Sequence, residues 1–369
     1  MSYKETKPLV VALYLPQYYE TEYNNEWWGK GYTEWTACKK ARPLYKGHNQ
    51  PRIPLNKNYY DLSQKDNIRW QMDLAKKYGI DGFAIYQYYS CGKKLLEVPT
   101  EMIRDDKSLD LPFFLFWANE SWRKMWFGQD KRVVWPQEYG SEKEWHDQFM
   151  YCLDYFKDER YMRIDDKPVY GVYNAFNFSE VDSFIDKWQE WAREEGLKGI
   201  YFIKAMGSHD KNELGKFSAI VSREPNYTFA YDETLLEKSV RVARSRIVDQ
   251  INRRFLLKNG KGVVELKADY DDLWSRILKR KLPNDGSVCL GAFTDWDNSP
   301  RRSFNATIIE GSTPEKFGRY MQQLYGKAKK NNCPMIVINA WNEWAEGAYL
   351  EPDEKNRYSY LEAIKSIRR

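Results

Sequence analysis

Residues 335–347 read MIVINAWNEWAEG, and this stretch decides the fold class. Its first half is a continuous apolar run, which is typical of a parallel strand that is covered on both faces. Seven comparable runs precede it, and helical patterns lie between them. The eight predicted strands are Val10–Pro16, Gly82–Tyr88, Phe113–Asn119, Pro168–Asn174, Gly199–Ala205, Phe217–Pro225, Val288–Trp296 and Met335–Trp341.

Several helices between these runs have recognisable starts. Ser141 and Glu144 form a capping-box pattern, Ser179 is a predicted N-cap, and Ser312 precedes a proline-led helix. Eight strands that alternate with helices predict an α/β protein, a (β/α)8 TIM barrel with long loop insertions. A doubly wound open sheet is the alternative, because the number of strands alone does not exclude it.

We expect a single catalytic domain over residues 1–369 with two insertions. The first, residues 17–60, is an aromatic loop rich in Trp, Tyr, Gly and Pro. The second, residues 231–281, is predicted to be helical over Val240–Phe255 and Tyr270–Leu282, and has 13 Lys and Arg against 8 Asp and Glu. Its basic surface is either a solvated face or a surface for anionic lipid, a lipid-linked phosphate or a nucleotide sugar.

Composition narrows the function. The chain has 15 Trp, 28 Tyr and 17 Phe, and such flat rings with polar edges suit sugar binding. A net charge of +5 is too small to argue for nucleic acid. Five cysteines without a CxxC pair indicate no disulfide framework. The apolar run at Leu9–Leu13 fits a first barrel strand better than a secretion signal, so we expect a cytoplasmic protein.

The sequence lacks the usual nucleotide, zinc-protease and serine-hydrolase motifs, and it has three histidines. His146 lies in a predicted helix and is expected to be structural. His48, in the aromatic loop, either contacts a ligand or braces the loop. We therefore expect no cofactor and no metal.

Two carboxylates, Glu343 and Glu346, follow the last predicted strand among indoles. Active-site loops of a barrel gather at the carboxyl ends of its strands. A pair of carboxylates there suits glycosyl chemistry, in which one acid protonates the leaving oxygen and the other stays ionised. The alternative is that both acids form salt bridges at the strand end.

The aromatic loop allows two interpretations as well. Its rings either pack the top of the barrel or, together with acidic and amide groups, form a saccharide subsite. We expect a sugar subsite that includes Trp28, Glu34 and Trp35. Tyr14, Tyr86 and Tyr88 lie on predicted strands and are expected in the core.

Six motifs carry a resemblance to a known family. They are Leu15-Pro16-Gln17, residues 25–35 (NEWWGKGYTEW), residues 47–51 (GHNQP), residues 118–122 (ANESW), residues 296–302 (WDNSPRR) and residues 341–347 (WNEWAEG). Together they resemble the WbsX-type family, bacterial proteins predicted to act as glycosyltransferases in surface-polysaccharide gene clusters. The barrel of that family looks like that of glycoside hydrolase family 99, the endo-α-mannosidase type.

The resemblance implies roles for the two carboxylates. Glu346 corresponds to the general acid/base, and Glu343 to the base that assists attack by the sugar 2-hydroxyl on the anomeric carbon; a role for Glu343 as nucleophile stays open. We expect the higher pKa at Glu346 and an ionised Glu343. Ala345 stands where the hydrolases usually have His, so the substrate contacts there are expected to differ.

Further substrate contacts are expected at the ends of this and other strands. They are Asn119, Glu120, Trp122, Glu224, Trp296, Asp297, Asn298, Trp341 and Asn342. The alternative for Glu224 is a salt bridge with Arg223 or another neighbour. Asp295 and Asp297 also spell a D-x-D pattern, which binds a divalent metal in nucleotide-sugar transferases, although the longer motif around them explains it better.

The sequence thus predicts a carbohydrate-active enzyme, a WbsX-type glycosyltransferase of bacterial O-antigen or capsule synthesis. The alternatives are an endo-acting hydrolase resembling family 99 and a non-catalytic carbohydrate-binding barrel. The expected partner is an oligosaccharide or glycan and not nucleic acid. For the glycosyltransferase, the sugar could be lipid-linked or nucleotide-activated, and the protein could contact the inner face of an anionic membrane peripherally.

Overall fold

Eight parallel strands close into a ring in a computed structural model that describes residues 7–123, 132–206, 213–256 and 262–367. The first strand closes the ring because it pairs with both the second and the eighth, as in the registers Val11 to Gly82 and Leu9 to Met335. The strands are β1 (Leu9–Tyr14), β2 (Gly82–Ser90), β3 (Phe113–Trp117), β4 (Lys167–Val172), β5 (Tyr201–Ala205), β6 (Ala219–Val221), β7 (Val288–Phe293) and β8 (Met335–Asn339).

Each barrel strand lies within, or largely overlaps, one of the eight predicted runs, so the predicted (β/α)8 barrel is confirmed. Some helices cover the ring from outside, and others lie beside the carboxyl ends of the strands or in the excursion described below. They are α1 (Glu22–Trp28), α2 (Glu34–Lys40), α3 (Lys65–Lys77), α4 (Val98–Asp105), α5 (Glu142–Phe156), α6 (Val181–Glu194), α7 (Leu235–Ile251), α8 (Tyr270–Lys279), α9 (Ser299–Arg302), α10 (Pro314–Lys330) and α11 (Ser359–Ser366).

Burial on both faces explains why the strands read as continuous apolar runs. All five residues of β3 are buried. Outside the barrel, Trp188 of α6 packs on Phe149 of α5 with ring centroids 5.5 Å apart. It also lies 4.8 Å from Tyr170 of β4, so indoles and phenols fill the layer between strands and helices.

Capping explains where the helices begin. The predicted capping box of α5 is present, with Ser141 and Glu144 bonded to each other's backbone. The helix that we expected to start at Ser179 begins at Val181 with no side-chain cap, and Thr313, not Ser312, caps α10. Another capping box, at Thr234, starts α7 earlier than the apolar pattern predicts.

The two segments that were expected to be insertions both contain helices. Residues 17–60 form α1, α2 and turns beside the carboxyl ends of the barrel strands. Within 231–281, α8 belongs to the barrel, because Trp274 stacks on Phe293 of β7 at 5.6 Å. The excursion is therefore α7 and the strand Leu266–Asp269, which pairs in parallel with Thr307–Glu310.

Candidate active site

The two predicted catalytic carboxylates lie on a short hairpin that follows β8. Asn342 and Glu343 pair with Tyr349 and Ala348, and a single 3-10 turn, Trp344–Glu346, connects the arms. The backbone N–H of Leu15 donates to the side-chain oxygen of Asn342 at 2.8 Å, and the amide nitrogen donates back to the Leu15 carbonyl at 3.0 Å. The loop after β1 thus fixes the hairpin.

One guanidinium contacts both carboxylates. Arg301 Nη1 donates to Glu346 at 2.6 Å, and Arg301 Nη2 lies 3.3 Å from Glu343. The same Nη2 donates to Glu34 at 2.9 Å. Three carboxylates from two loops therefore surround a single cation.

The electrostatics of the pair differ from the expectation. Burial raises the pKa of Glu343 to about 8; the Glu346 carboxylate adds to this rise, and Arg301 opposes it. The prediction of an ionised Glu343 at neutral pH is therefore wrong. Burial also raises the pKa of Glu34, against the nearby Arg301.

Glu343 and Glu346 line an open cleft of about 640 Å³ at the carboxyl ends of the strands. Of the side chains predicted from the sequence to bind substrate, five more lie in its wall: Trp28, Glu120, Trp122, Trp296 and Asn298. The cleft continues past Glu346 into a second lobe of about 630 Å³, which Asn177 and Arg302 also line.

Aromatic rings form one side of the cleft. Trp28 lies 6.2 Å from Trp122, whose other neighbour is Tyr88 at 5.1 Å. Tyr86 and Tyr88 belong to or pack on the core, as expected, and both also line the cleft. Tyr14 is in the core as expected, fully buried and 4.9 Å from Phe83.

Five side chains predicted to touch substrate are instead buried behind the cleft wall. Glu34 is fully buried under Arg301, and Trp35 donates its indole N–H to the Tyr60 carbonyl at 2.8 Å. Asn119 joins β3 to β4, because its amide donates to the Asn174 carbonyl at 2.7 Å. Trp341 packs on the ring of a core Phe, and Asn342 holds the hairpin as described above.

Asp297 is a structural carboxylate as well. His48 Nε2 and the Gln50 amide donate to it at 2.8 and 2.7 Å, while His48 Nδ1 accepts from the Leu44 N–H. Burial opposes ionisation, but these hydrogen bonds and the nearby Arg52 lower the pKa of Asp297 to about 2. His48 thus braces the loop, which was one of its two predicted roles.

The D-x-D pattern has cationic partners within the protein. Asp295 pairs with Arg52 at 2.8 Å, and the carboxylate of Asp297 is engaged as above. Among the described residues, no group of three or more His, Cys, Asp or Glu side chains is arranged to hold a metal.

Glu224 closes β6 but faces away from the cleft. It is fully buried and pairs with Arg280 at 2.8 Å, while the Thr228 hydroxyl donates to it at 2.7 Å. Burial raises its pKa against the pull of Arg280. The salt-bridge alternative is therefore the one the structure supports, with Arg280 as the partner in place of Arg223.

Sequence reasoning missed two groups in the cleft. Arg301 lies in a quoted motif, but its role depends on contacts with two distant segments. Gln17 also lies in a quoted motif and lines the cleft. Its buried amide nitrogen has no hydrogen-bond partner in the described part of the chain, so it is suited to a sugar hydroxyl.

With this geometry in view, the comparisons identify the family. Residues 10–364 match the family model described as glycosyltransferase WbsX. The chain belongs to the WbsX glycosyltransferase family. This membership confirms the predicted family and supports the prediction of a carbohydrate-active enzyme.

Two curated relatives are "Uncharacterized protein WxcX" from Xanthomonas campestris pv. campestris, strains B100 and ATCC 33913. Each relative is 33% identical to this chain, and the alignment covers 98% of this chain. The alignment covers 50% of either relative, so the WbsX-family chain spans about half the length of the curated relatives it matches.

Solved structures of low identity share the fold. A GH99 endo-α-mannosidase from Bacteroides thetaiotaomicron has a TM-score of 0.54 at 12% identity, covering 97% of this chain and 96% of its own. A "glycoside hydrolase-like protein" has a TM-score of 0.57 at 13% identity, covering 98% and 94%. These likenesses show a common barrel.

Proposed function

We propose that this WbsX-family chain forms or remodels glycosidic bonds with retention of configuration, using Glu343 and Glu346 as its acid–base pair. The observation that carries the proposal is that both carboxylates line one aromatic cleft and contact the same guanidinium. The proposed setting is synthesis of bacterial surface polysaccharide in the cytoplasm, with a nucleotide-activated or lipid-linked sugar as substrate.

The proposed reaction has two steps. Glu346 donates its proton to the leaving oxygen while ionised Glu343 takes the proton of the donor's 2-hydroxyl, whose oxygen attacks the anomeric carbon. The bond to the leaving group breaks and a 1,2-anhydro sugar forms. The acceptor hydroxyl then gives its proton to Glu346 and attacks the anomeric carbon. The bond from that carbon to the 2-oxygen breaks, and Glu343 returns its proton to the 2-oxygen.

The raised pKa of Glu343 fits the base in this scheme. A carboxylate whose conjugate acid has a pKa of about 8 is a stronger base than an ordinary one, which helps it to remove a hydroxyl proton. Because the first step needs an ionised Glu343 and a protonated Glu346, the rate should pass through a maximum as pH rises, with one limb of the profile set by the pKa of Glu343 near 8. A rate–pH profile of the wild-type protein measures this limb.

The test of the proposal is product formation from nucleotide sugars, lipid-linked sugars and α-mannans. Glu343→Gln should lower turnover with every donor by ~10²–10⁴-fold, whereas Glu346→Gln should spare donors with activated leaving groups. Glu362→Gln, an exposed acid on α11, is the matched control and should behave as wild type. Full activity in both cleft variants would remove the pair from the mechanism.

An endo-acting hydrolase is the second candidate. The cleft extends on both sides of Glu346, which leaves room for a glycan that continues beyond the cleaved bond. Reaction in ¹⁸O-water separates the two candidates: a hydrolase places the label on the new reducing end, and a transferase gives an unlabelled glycoside whose formation requires the acceptor.

A further inference from the structure

Helix α7 presents an apolar stripe to solvent. Leu236, Val240, Ile247 and Ile251 follow one another at steps of four, seven and four residues, which places them on one face of the helix. Their exposed fractions are 74%, 59%, 57% and 41%. A contiguous stripe of exposed aliphatic residues marks an interaction surface rather than ordinary surface scatter.

A neighbouring face of α7 is anchored to the protein. Val248 is buried, and Arg241 pairs with Glu233 at 2.8 Å. Glu237 pairs with Arg276 of α8, also at 2.8 Å. The helix is therefore already packed on the rest of the protein, and the stripe is available to an external partner.

Cations border the stripe. With 100° per residue, Arg244 lies on one side of it and Arg246 on the other, and Arg254 follows beyond its carboxyl end. All three are exposed, and none forms an ion pair within the part of the chain that the structure describes. The carboxylates of the helix, Glu237 and Asp249, are each paired with an arginine.

We propose that this stripe docks the protein on an anionic lipid surface. A helix with aliphatic residues between arginines lies in the plane of the interface, where its apolar side chains enter the headgroup boundary and its guanidiniums bind lipid phosphates. Charge favours this partner over a second copy of the chain, because facing stripes would bring the Arg244 and Arg246 side chains of two copies together.

The docked helix would bring the cleft close to the lipid. Arg241, on the same helix, lines the cleft, so roughly one helix diameter of ~10 Å separates the stripe from the cleft wall. A substrate with a lipid anchor could then reach Glu343 and Glu346 without leaving the bilayer. This consequence rests on the proposed function, whereas the docking itself does not.

Vesicle sedimentation tests the docking without any activity measurement. Wild-type protein should sediment with vesicles of phosphatidylcholine containing roughly 30% phosphatidylglycerol, and not with phosphatidylcholine alone. Leu236→Ser combined with Ile247→Ser should weaken the partition at least ~10-fold, as should Arg244→Ser combined with Arg246→Ser. Added salt should weaken wild-type binding, because it screens the attraction between the arginines and the lipid phosphates.

Met150→Ser on α5 is the matched control, since Met150 is an exposed apolar side chain away from α7; it should bind like wild type. The substituted stripe residues are exposed, so an unchanged melting temperature verifies folding. Equal binding to both vesicle types, or no binding, overturns the proposal. Size-exclusion chromatography with light scattering tests the alternative. If the wild-type protein is a dimer, the Leu236→Ser, Ile247→Ser variant is a monomer and neither binds vesicles, the stripe is a self-association surface instead.

Discussion

At the scale of single residues, Arg301 determines the electrostatics of the cleft. One positive charge cannot neutralise three carboxylates that surround it, so the group of Glu34, Glu343 and Glu346 favours binding a proton. Burial raises the pKa of Glu343 to about 8, and it raises the pKa of Glu34 as well. At neutral pH we therefore expect the free protein to hold a proton on Glu343, the residue that we propose as the base.

The proton on Glu343 makes the free energy of unfolding depend on pH. The pKa of Glu343 is about 8 in the folded state, above its ordinary value of 4.5, so between these pH values the unfolded chain is ionised while the folded one is protonated. The folded state therefore loses stability as pH rises from about 4.5 to 8, with no further change above that range. Glu343→Gln should remove this loss.

Melting temperatures measured between pH 4 and pH 9 check this. The advantage of Glu343→Gln over wild type should be small near pH 4, should grow up to about pH 8 and should then stay constant. A difference between the two proteins that does not change with pH would mean that Glu343 titrates normally.

The pair of Glu34 and Arg301 gives a second prediction. Arg301→Met leaves Glu34 as a fully buried carboxylate without its cation, which should lower the free energy of unfolding by ~3–5 kcal/mol. In a Glu34→Gln background the same substitution should cost much less, because position 34 then carries no buried charge that could be left unpaired. Urea denaturation of the wild-type protein, the two single variants and the double variant gives the coupling free energy between Glu34 and Arg301.

Arg302→Met is the control for this cycle, since Arg302 is the exposed neighbour and should change stability by no more than ~0.5 kcal/mol. Additive effects of Glu34→Gln and Arg301→Met would show that the contact at 2.9 Å contributes nothing.

At the scale of elements, α1 and α2 have separate roles although both bring a Trp into the aromatic loop. Trp28 ends α1 and lines the cleft, where it stacks on Tyr32 at 5.4 Å. Trp35 of α2 is 4% exposed and packs between Tyr18 and Trp344. One indole is therefore available to a ligand and the other belongs to the core.

Alanine substitution should separate these roles. Trp28→Ala should weaken saccharide binding by ~1–3 kcal/mol and leave the melting temperature nearly unchanged. Trp35→Ala should instead destabilise the fold by ~3–5 kcal/mol, because it opens a cavity under the hairpin. Isothermal titration and thermal melts of both variants measure the two effects; loss of affinity without loss of stability in Trp35→Ala would contradict the assignment.

The same elements show how far the sequence could predict the structure. Continuous apolar runs identified all eight barrel strands, because burial on both faces leaves no alternation. The start of α7 lies before the predicted one because its first turn, Leu235–Lys238, is set by a capping box at Thr234 and its leucines are exposed and not in the core. Trp28 and Trp35 could not be distinguished, since their burial is set by α2 packing against the hairpin.

At the scale of the whole molecule, the cleft depends on contacts between distant parts of the chain. Arg301 contacts a carboxylate 267 positions away and another 42 positions away. No local pattern encodes such contacts. The sequence therefore indicated the pair of acids, which lie within one motif, but not the cation that links them to Glu34.

Closure of the barrel by pairing of β8 with β1 affects the order of events during folding. The hydrogen bonds between Asn342 and Leu15 join residues 327 positions apart, and they form only when β8 pairs with β1. Contacts of such long sequence separation are slow to form, because a large loop must close first. We expect helices to recover early after dilution from denaturant and the ligand-binding cleft to recover last. In stopped-flow refolding, far-ultraviolet circular dichroism should thus precede saccharide binding, and a single shared rate constant would mean that the barrel and its cleft form together.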